Sequence, residues 1–417
     1  MSAGPKQVLI LGGGFAGVYT ARRLEKLLRP EEACITLINR ENYWVYQPML
    51  PEVISGSIGL TNVVSPIRRL CPRTNLIMRE VEVINLQKQI VTISPGFRPR
   101  ELQLKYDHLV IALGSVTDFH GMPGMVENAM PFRTLADAMV LRNHLIHVLE
   151  EADVEENPEL RRQLLTFVVG GGGFSGVEVM AELNDFVRSV KKNYLRLRNE
   201  PHRCVIVQAG DRILPEMSET LAIFAQRILR ERGVEIILND RVKSATSERA
   251  ILQSDNEIPC KTLISTVPSA LPPVIQKLDC PNERGKLLVN TRLELKNYEG
   301  KVWALGDVLI IPKADLTSCA RACRLSETSS ASWSNDARRK GHRIRFWRQP
   351  AAAAATQSLL LSRRANSGLR PVLRPPNYPS VAITKRNGTS VPRRTCLSSM
   401  LAITRTTAGR AESSVYR

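Results

Sequence analysis

The stretch VLILGGGFAGVY (residues 8–19) returns later in the chain as FVVGGGGFSGVE (167–178). In both, an apolar run breaks into glycines and continues as helix-forming residues. That order confines the chain to few folds. A strand that turns tightly over glycine into a helix opens a βαβ unit, and hence a parallel sheet with helices on its faces. The first turn has Gly12, Gly14 and Gly17 at the spacing G-x-G-x-x-G, and the second has Gly171, Gly173 and Gly176. The first glycine of such a set permits the turn. The second lets the backbone approach a pyrophosphate, and the third lets helix and strand pack closely. The phosphates then meet free N–H groups at a helix N-terminus. One such motif alone is weak. The strand before it and the helix after it give it weight, and two of them imply two dinucleotides: one tightly held flavin and one diffusible nicotinamide.

The rest of the first 313 residues keeps this texture. A strand is expected over 8–11, a helix over 17–28 and a second strand over 35–38. The pattern restarts with a strand over 165–169, a helix from Gly176 and a strand over 204–207, and KVWALGD (301–307) reads as a further strand with a polar end. The expected fold is α/β, with two Rossmann-like dinucleotide-binding domains.

The residue that ends the second strand of each unit normally grips the adenosine ribose, and an acid is usual there. Here the first unit has Asn39, 22 residues after Gly17. It can accept one hydroxyl hydrogen bond, more weakly than a carboxylate. The second unit has Gln208, 32 residues after Gly176, against a usual gap of about 20. A longer helix, running through 184–197, is expected to fill the difference. A glutamate at 208 would repel the 2′-phosphate of NADPH. Glutamine does not, and Arg212 lies four residues on, so NADH and NADPH are both expected as donors.

A formal charge of +18 invites a nucleic-acid reading, but its location argues against one. Residues 314–417 hold 19 Lys and Arg against 4 Asp and Glu, which leaves +3 for everything before them. No nucleic-acid partner is expected for the body. The tail has 17 arginines but 2 lysines, with AAAAA at 351–355 and RPVLRPP at 370–376, and shows no helix or strand period. Three readings of it stay open: a basic arm, a disordered segment, or translation in a wrong frame, since a GC-rich gene read out of frame gives such text. The eight cysteines show no CxxC or metal spacing, so buried reduced thiols and no metal are expected. No apolar run reaches the length of about 18 residues that crosses a membrane. The apolar run before Gly12 is too short for a signal peptide. A cytoplasmic protein is expected.

The segments VLILGGGFAGVYTARRL, ITLINRENYWVYQPMLPEV, YDHLVIALGS, FVVGGGGFSGVEVMAEL, VQAGDRILP and KVWALGDV stand in the order found in the two-dinucleotide flavoproteins. Residues 6 to about 311 resemble type II NADH:quinone oxidoreductases in particular. The resemblance implies a discontinuous FAD domain over 1–150 and 271–313 with the nicotinamide domain inserted over 151–270, and hydride transfer from NAD(P)H to flavin N5, then electron transfer to a quinone of a respiratory chain. Gly12, Gly14, Gly17, Asn39 and Arg40 would touch the adenosine diphosphate of FAD. Ala112 and Gly114 would lie near that cofactor, and Asp307 would bond its ribityl and phosphate region. Gly171, Gly173, Gly176, Gln208 and Arg212 would take NAD(P)H. Glu178 matches the family glutamate near the nicotinamide, although a carboxylate at a helix start also suits the dipole. Gln47 and Pro48 match the region beside the flavin. Tyr43, Trp44 and Tyr46 belong either to that region or to a buried aromatic patch. Peripheral contact with the inner face of the cell membrane and a homodimer are compatible with the resemblance. The chain departs from it at Asn39, Gln208 and Gly170, and it has no cysteine pair in the first domain. After GDV neither the family's A-Q-x-A-x-x-x-G helix nor an amphipathic docking segment is found. The alternative reading is a truncated, non-catalytic dinucleotide-binding protein.

Overall fold

A strand buried on both faces needs a continuous apolar run. The strand β1 (Lys6–Leu11) meets that need, with Val8, Leu9, Ile10 and Leu11 all buried. The computed structural model describes residues 4–310, apart from 98, 99, 101, 120, 267 and 268. From β1 the chain passes through the glycine turn into α1 (Phe15–Leu27) and returns as β2 (Ala33–Asn39). After α2 (Leu50–Ser55) it adds β3 (Asn75–Met78) and β4 (His108–Ile111), then leaves through β5 (Val116–Thr117). A second sheet takes β6 (Met130–Pro131) and, after α3 (Leu135–Val154), β7 (Thr166–Gly170). It continues with α4 (Phe174–Val190), β8 (Arg203–Gln208), α5 (Glu219–Glu231), β9 (Val234–Leu238) and β10 (Thr262–Ser265). The chain returns through β11 (Ser269–Ala270) and completes the first sheet with β12 (Val302–Ala304).

The first sheet has the order β12-β4-β1-β2-β3 and the second β6-β10-β7-β8-β9, and every pairing within them is parallel. In each, the order reverses beside the strand that feeds a glycine turn. Ligands of open α/β sheets bind at that switch point, at the carboxyl ends of the strands. The two crossing strands β5 and β11 pair antiparallel and bridge the sheets.

Two expectations need correction. The boundary at 150/151 falls too late. Met130 of β6 pairs with Ile264 of β10, and Leu141, Leu145, Val148 and Leu149 of α3 are buried with Phe167 and Val169 of β7. The second unit therefore begins at β6. The helix expected through 184–197 also stops short of 197. α4 stops at Val190, a single 3-10 turn covers Lys191–Asn193, and turns follow as far as 200. A buried polar network holds this excursion instead. The Lys191 ammonium bonds the Glu200 carbonyl and lies 3.3 Å from His202 Nδ1, while His202 Nε2 lies 3.2 Å from Asn184 Oδ1.

The two units also share an apolar contact. α2 packs against α3 and α4, and its Ile54 is buried in the core of the second unit. Among the described residues no helix is long and apolar enough to cross a membrane.

Candidate functional site

The two glycine turns are built alike, atom for atom. Gly12 has φ +103° and Gly171 φ +110°, a backbone that side chains rarely tolerate. A Cβ on Gly17 would stand 1.8 Å from the carbonyl oxygen of Gly12, and one on Gly176 would stand 1.8 Å from that of Gly171. The Gly12 N–H donates to the Ile38 carbonyl and the Gly171 N–H to that of Val207, each at 2.8 Å. The middle glycines are clamped by the two amides that stand where acids are usual. Gly13 N–H donates to Asn39 Oδ1 at 2.8 Å, and Gly172 N–H donates to Gln208 Oε1 at 2.8 Å. Asn39 Nδ2 also donates to the Glu41 carbonyl at 2.8 Å. A ribose hydroxyl would thus meet an amide already engaged in holding the turn.

Both helices that follow are left open at the start. α1 is capped by Gly14 and α4 by Gly173, with no side-chain cap and no acid in the first turn of either. By contrast Thr134 and Asp137 form a full capping box on α3. An uncapped first turn keeps free N–H donors and the positive end of the dipole for an anion. Gly14 is exposed, and a Cβ there would meet nothing within 4 Å. These residues fit a pyrophosphate at each turn.

The other expected residues gather mainly around the first turn. Ala112 N–H donates to the Leu11 carbonyl at 2.8 Å, and its own oxygen lies 2.2 Å from where a Gly12 Cβ would stand. Gly114 follows with φ +64°. Asp307 lies in the 3-10 turn after β12, beside Gly306, whose added Cβ would touch Ala16. Ser115 Oγ donates to Asp307 Oδ2 at 2.7 Å. Arg40 is exposed and lies 3.6 Å from Glu80. At the second turn, half-buried Arg212 donates to the Pro215 carbonyl at 3.4 Å. Glu178 is half-buried on α4, one turn before Glu182, whose carboxyl is pushed up by burial and by Glu52, against a bond from Ser55. Gln47 and Pro48 are exposed in a 3-10 turn that leads into α2. Gln47 stands shortly before α2, and α2 packs on α4, the helix that carries Glu178.

Sequence reasoning missed several residues here. Trp44 and Tyr46 do form an aromatic patch, but its hub is Phe15, directly after Gly14. Its ring lies 5.0 Å from Trp44 and 5.8 Å from Tyr46, and it stacks on Tyr19. Arg133 also escaped notice, although its Nη2 lies 3.5 Å from Asp307 Oδ2. Its only sequence signal was its place directly before the T-x-x-D cap of α3.

Among the described residues no cluster of His, Cys, Asp and Glu could hold a metal. The five described cysteines are free, and burial pushes the thiols of Cys71, Cys260 and Cys280 up to about 11 and that of Cys204 to about 12. Such thiols stay protonated and inert. Cys319, Cys323, Cys396 and the basic tail lie outside the described residues.

The sequence pattern of the pyridine nucleotide-disulphide oxidoreductases matches residues 6–333, and the chain belongs to that family. The match runs past the last motif quoted above. The chain is similar to the external alternative NADH-ubiquinone oxidoreductase of Yarrowia lipolytica mitochondria, 27% identical over 326 residues, which are 72% of this chain and 55% of that protein. It is also similar to a demethylphylloquinone reductase of Synechocystis, 32% identical over 313 residues, 72% of this chain and 71% of that one. In fold it is similar to NDH2 of Plasmodium falciparum in complex with NADH, with a TM-score of 0.69 and 20% identity over 86% of this chain and 78% of that chain. The expected α/β fold and the family resemblance are both borne out. The chain spans little more than half the length of the Yarrowia relative.

Proposed function

We propose that this protein is an FAD-dependent NAD(P)H:quinone oxidoreductase of the type II kind. The observation that carries this reading is the pair of matched, uncapped glycine turns, each at the switch point of its own sheet, in a chain whose relatives are named as quinone reductases. Gly12, Gly14 and Gly17 with the start of α1 take the FAD pyrophosphate. Asn39 and Arg40 take its adenosine end, and Ala112, Gly114 and Asp307 its ribityl end. Gly171, Gly173 and Gly176 take the pyrophosphate of NAD(P)H. When bound, the flavin supplies the chemistry, accepting a hydride from nicotinamide and releasing two electrons to a quinone. The chain supplies position. Gln47 shortly precedes α2, and α2 packs on α4, which carries Glu178; that contact supports a place for both residues near the flavin.

Gln208 opens the second site to NADPH. Its Oε1 is held by Gly172, so it offers N–H donors and no negative charge to a 2′-phosphate, and Arg212 adds a cation. Contact with the inner face of a cell membrane is read as peripheral, since among the described residues no helix is long and apolar enough to cross one.

The test is the visible spectrum of the purified chain under anaerobic NADH. A flavin band that bleaches with NADH and returns with a soluble quinone is expected. A colourless protein, or a band indifferent to NADH, would favour the non-catalytic alternative.

A further inference from the structure

Arg133 lies in none of the motifs of either turn, yet its side chain reaches the carboxylate expected to hold the flavin. It opens the second unit, between β6 and α3. Its backbone N–H donates to Asp137 Oδ2 at 2.9 Å, next to the capping box of Thr134 and Asp137, so the base of the side chain is fixed. The guanidinium then crosses to the first unit. Nε donates to the Ser115 carbonyl at 2.9 Å, and Nη2 bonds Ser115 Oγ and lies 3.5 Å from Asp307 Oδ2. Ser115 Oγ accepts from Arg133 and donates to the same Asp307 oxygen at 2.7 Å. Two segments thus converge on one carboxylate oxygen of a third, directly beside β5 of the double crossing. Asp307 remains 63% exposed and Arg133 only 29%. One face of the carboxylate is therefore anchored while the rest stays open.

We propose that Arg133 is a positioning residue of the flavin site. From the nicotinamide unit it fixes the Asp307 carboxylate through Ser115, leaving the other oxygen for a ribityl hydroxyl, and it offsets the carboxylate's charge before an anionic cofactor binds. This inference rests on reading the first turn as the FAD site. A partly exposed ion pair alone is worth little. The planar fork makes the difference, because it bonds two Ser115 atoms and faces Asp307 at once. A lysine restores the charge but not that geometry.

The test uses the full chain as wild type, R133Q, R133K and S115A. FAD dissociation constants come from fluorescence on reconstituting the apoprotein, midpoint potentials from the reconstituted flavin, and melting temperatures from the apo forms. R133Q is expected to weaken FAD by about tenfold or more, the scale of a lost charged hydrogen bond. It is also expected to lower the midpoint potential, because a cation near the flavin favours added negative charge. R133K should recover the potential and part of the affinity, and S115A should weaken FAD without moving the potential as far. R133Q with wild-type FAD affinity and potential, whatever its melting temperature, would overturn the proposal. If R133Q does not fold, R133K and S115A decide, and wild-type affinity in both overturns it. A wild type that takes up no FAD would overturn the reading of the first turn itself, and this inference with it.

Discussion

The first and second glycine turns share their strained φ, their closest backbone approach and their amide clamp, yet they sit in different surroundings. At the same place in each motif stands a phenylalanine. Phe15 packs into the rings of Tyr19, Trp44 and Tyr46, whereas Phe174 is 40% exposed. The first turn is also overlooked by Asp307, Ser115 and Arg133, brought in from three other segments. The second has Glu216, 3.7 Å from an added Gly173 Cβ, and Arg212 close by in sequence. The turn itself is dictated by backbone sterics and so is made twice. What it holds, and for how long, is decided by its neighbours. A turn ringed by aromatic and polar side chains from other segments suits a resident cofactor, and a turn without that ring suits a ligand that comes and goes.

Damage to each turn alone separates the two most sharply. G17A and G176A each drive a methyl into a carbonyl oxygen 1.8 Å away. Overpacking by about 3 kcal/mol should cost about a hundredfold in affinity at the turn affected. G17A should lose FAD, and G176A should keep FAD but bind NADH poorly by titration. A smaller effect is expected of G14A, where the methyl has free space in the protein but takes the place of the pyrophosphate. FAD should weaken about tenfold, the scale of a lost charged hydrogen bond, with the apo melting temperature unmoved. Next comes Q208E, which can keep the Gly172 clamp and adds a charge. The NADPH/NADH ratio of kcat/KM should fall about tenfold through like-charge repulsion. An unchanged ratio would remove Gln208 from the account of donor choice.

The smallest effect is on stability and belongs to the second unit alone. Burial, then Lys191 and Arg188, hold the His202 imidazole down to about 4. The unfolded chain takes up that proton near the ordinary 6.5, so the folded state loses stability as pH falls from 6.5 towards 4 and is indifferent above. H202Q should flatten that limb of a melting-temperature profile.

Much of this was legible because it is local. The strand–glycine–helix order placed both turns, and the apolar run with a polar end placed β12 and Asp307. What escaped depends on distant partners. β6 has two residues and no period, and exists because Met130 finds Ile264. α4 ends at Val190 because Lys191 folds back onto the Glu200 carbonyl, which no helix propensity records. The amides at 39 and 208 suit ligand contacts by their place at the strand ends, but in the fold they hold Gly13 and Gly172. Arg133 meets Asp307 across most of the chain, and only the fold joins them.

The proposed function gives the flavin to the first turn and the nicotinamide to the second. The most direct measurement is the anaerobic visible spectrum of G176A beside G17A, each with and without NADH at a concentration that fully reduces the wild type. The account predicts a yellow G176A that NADH fails to bleach and a colourless G17A. A colourless G176A beside a yellow G17A would contradict it.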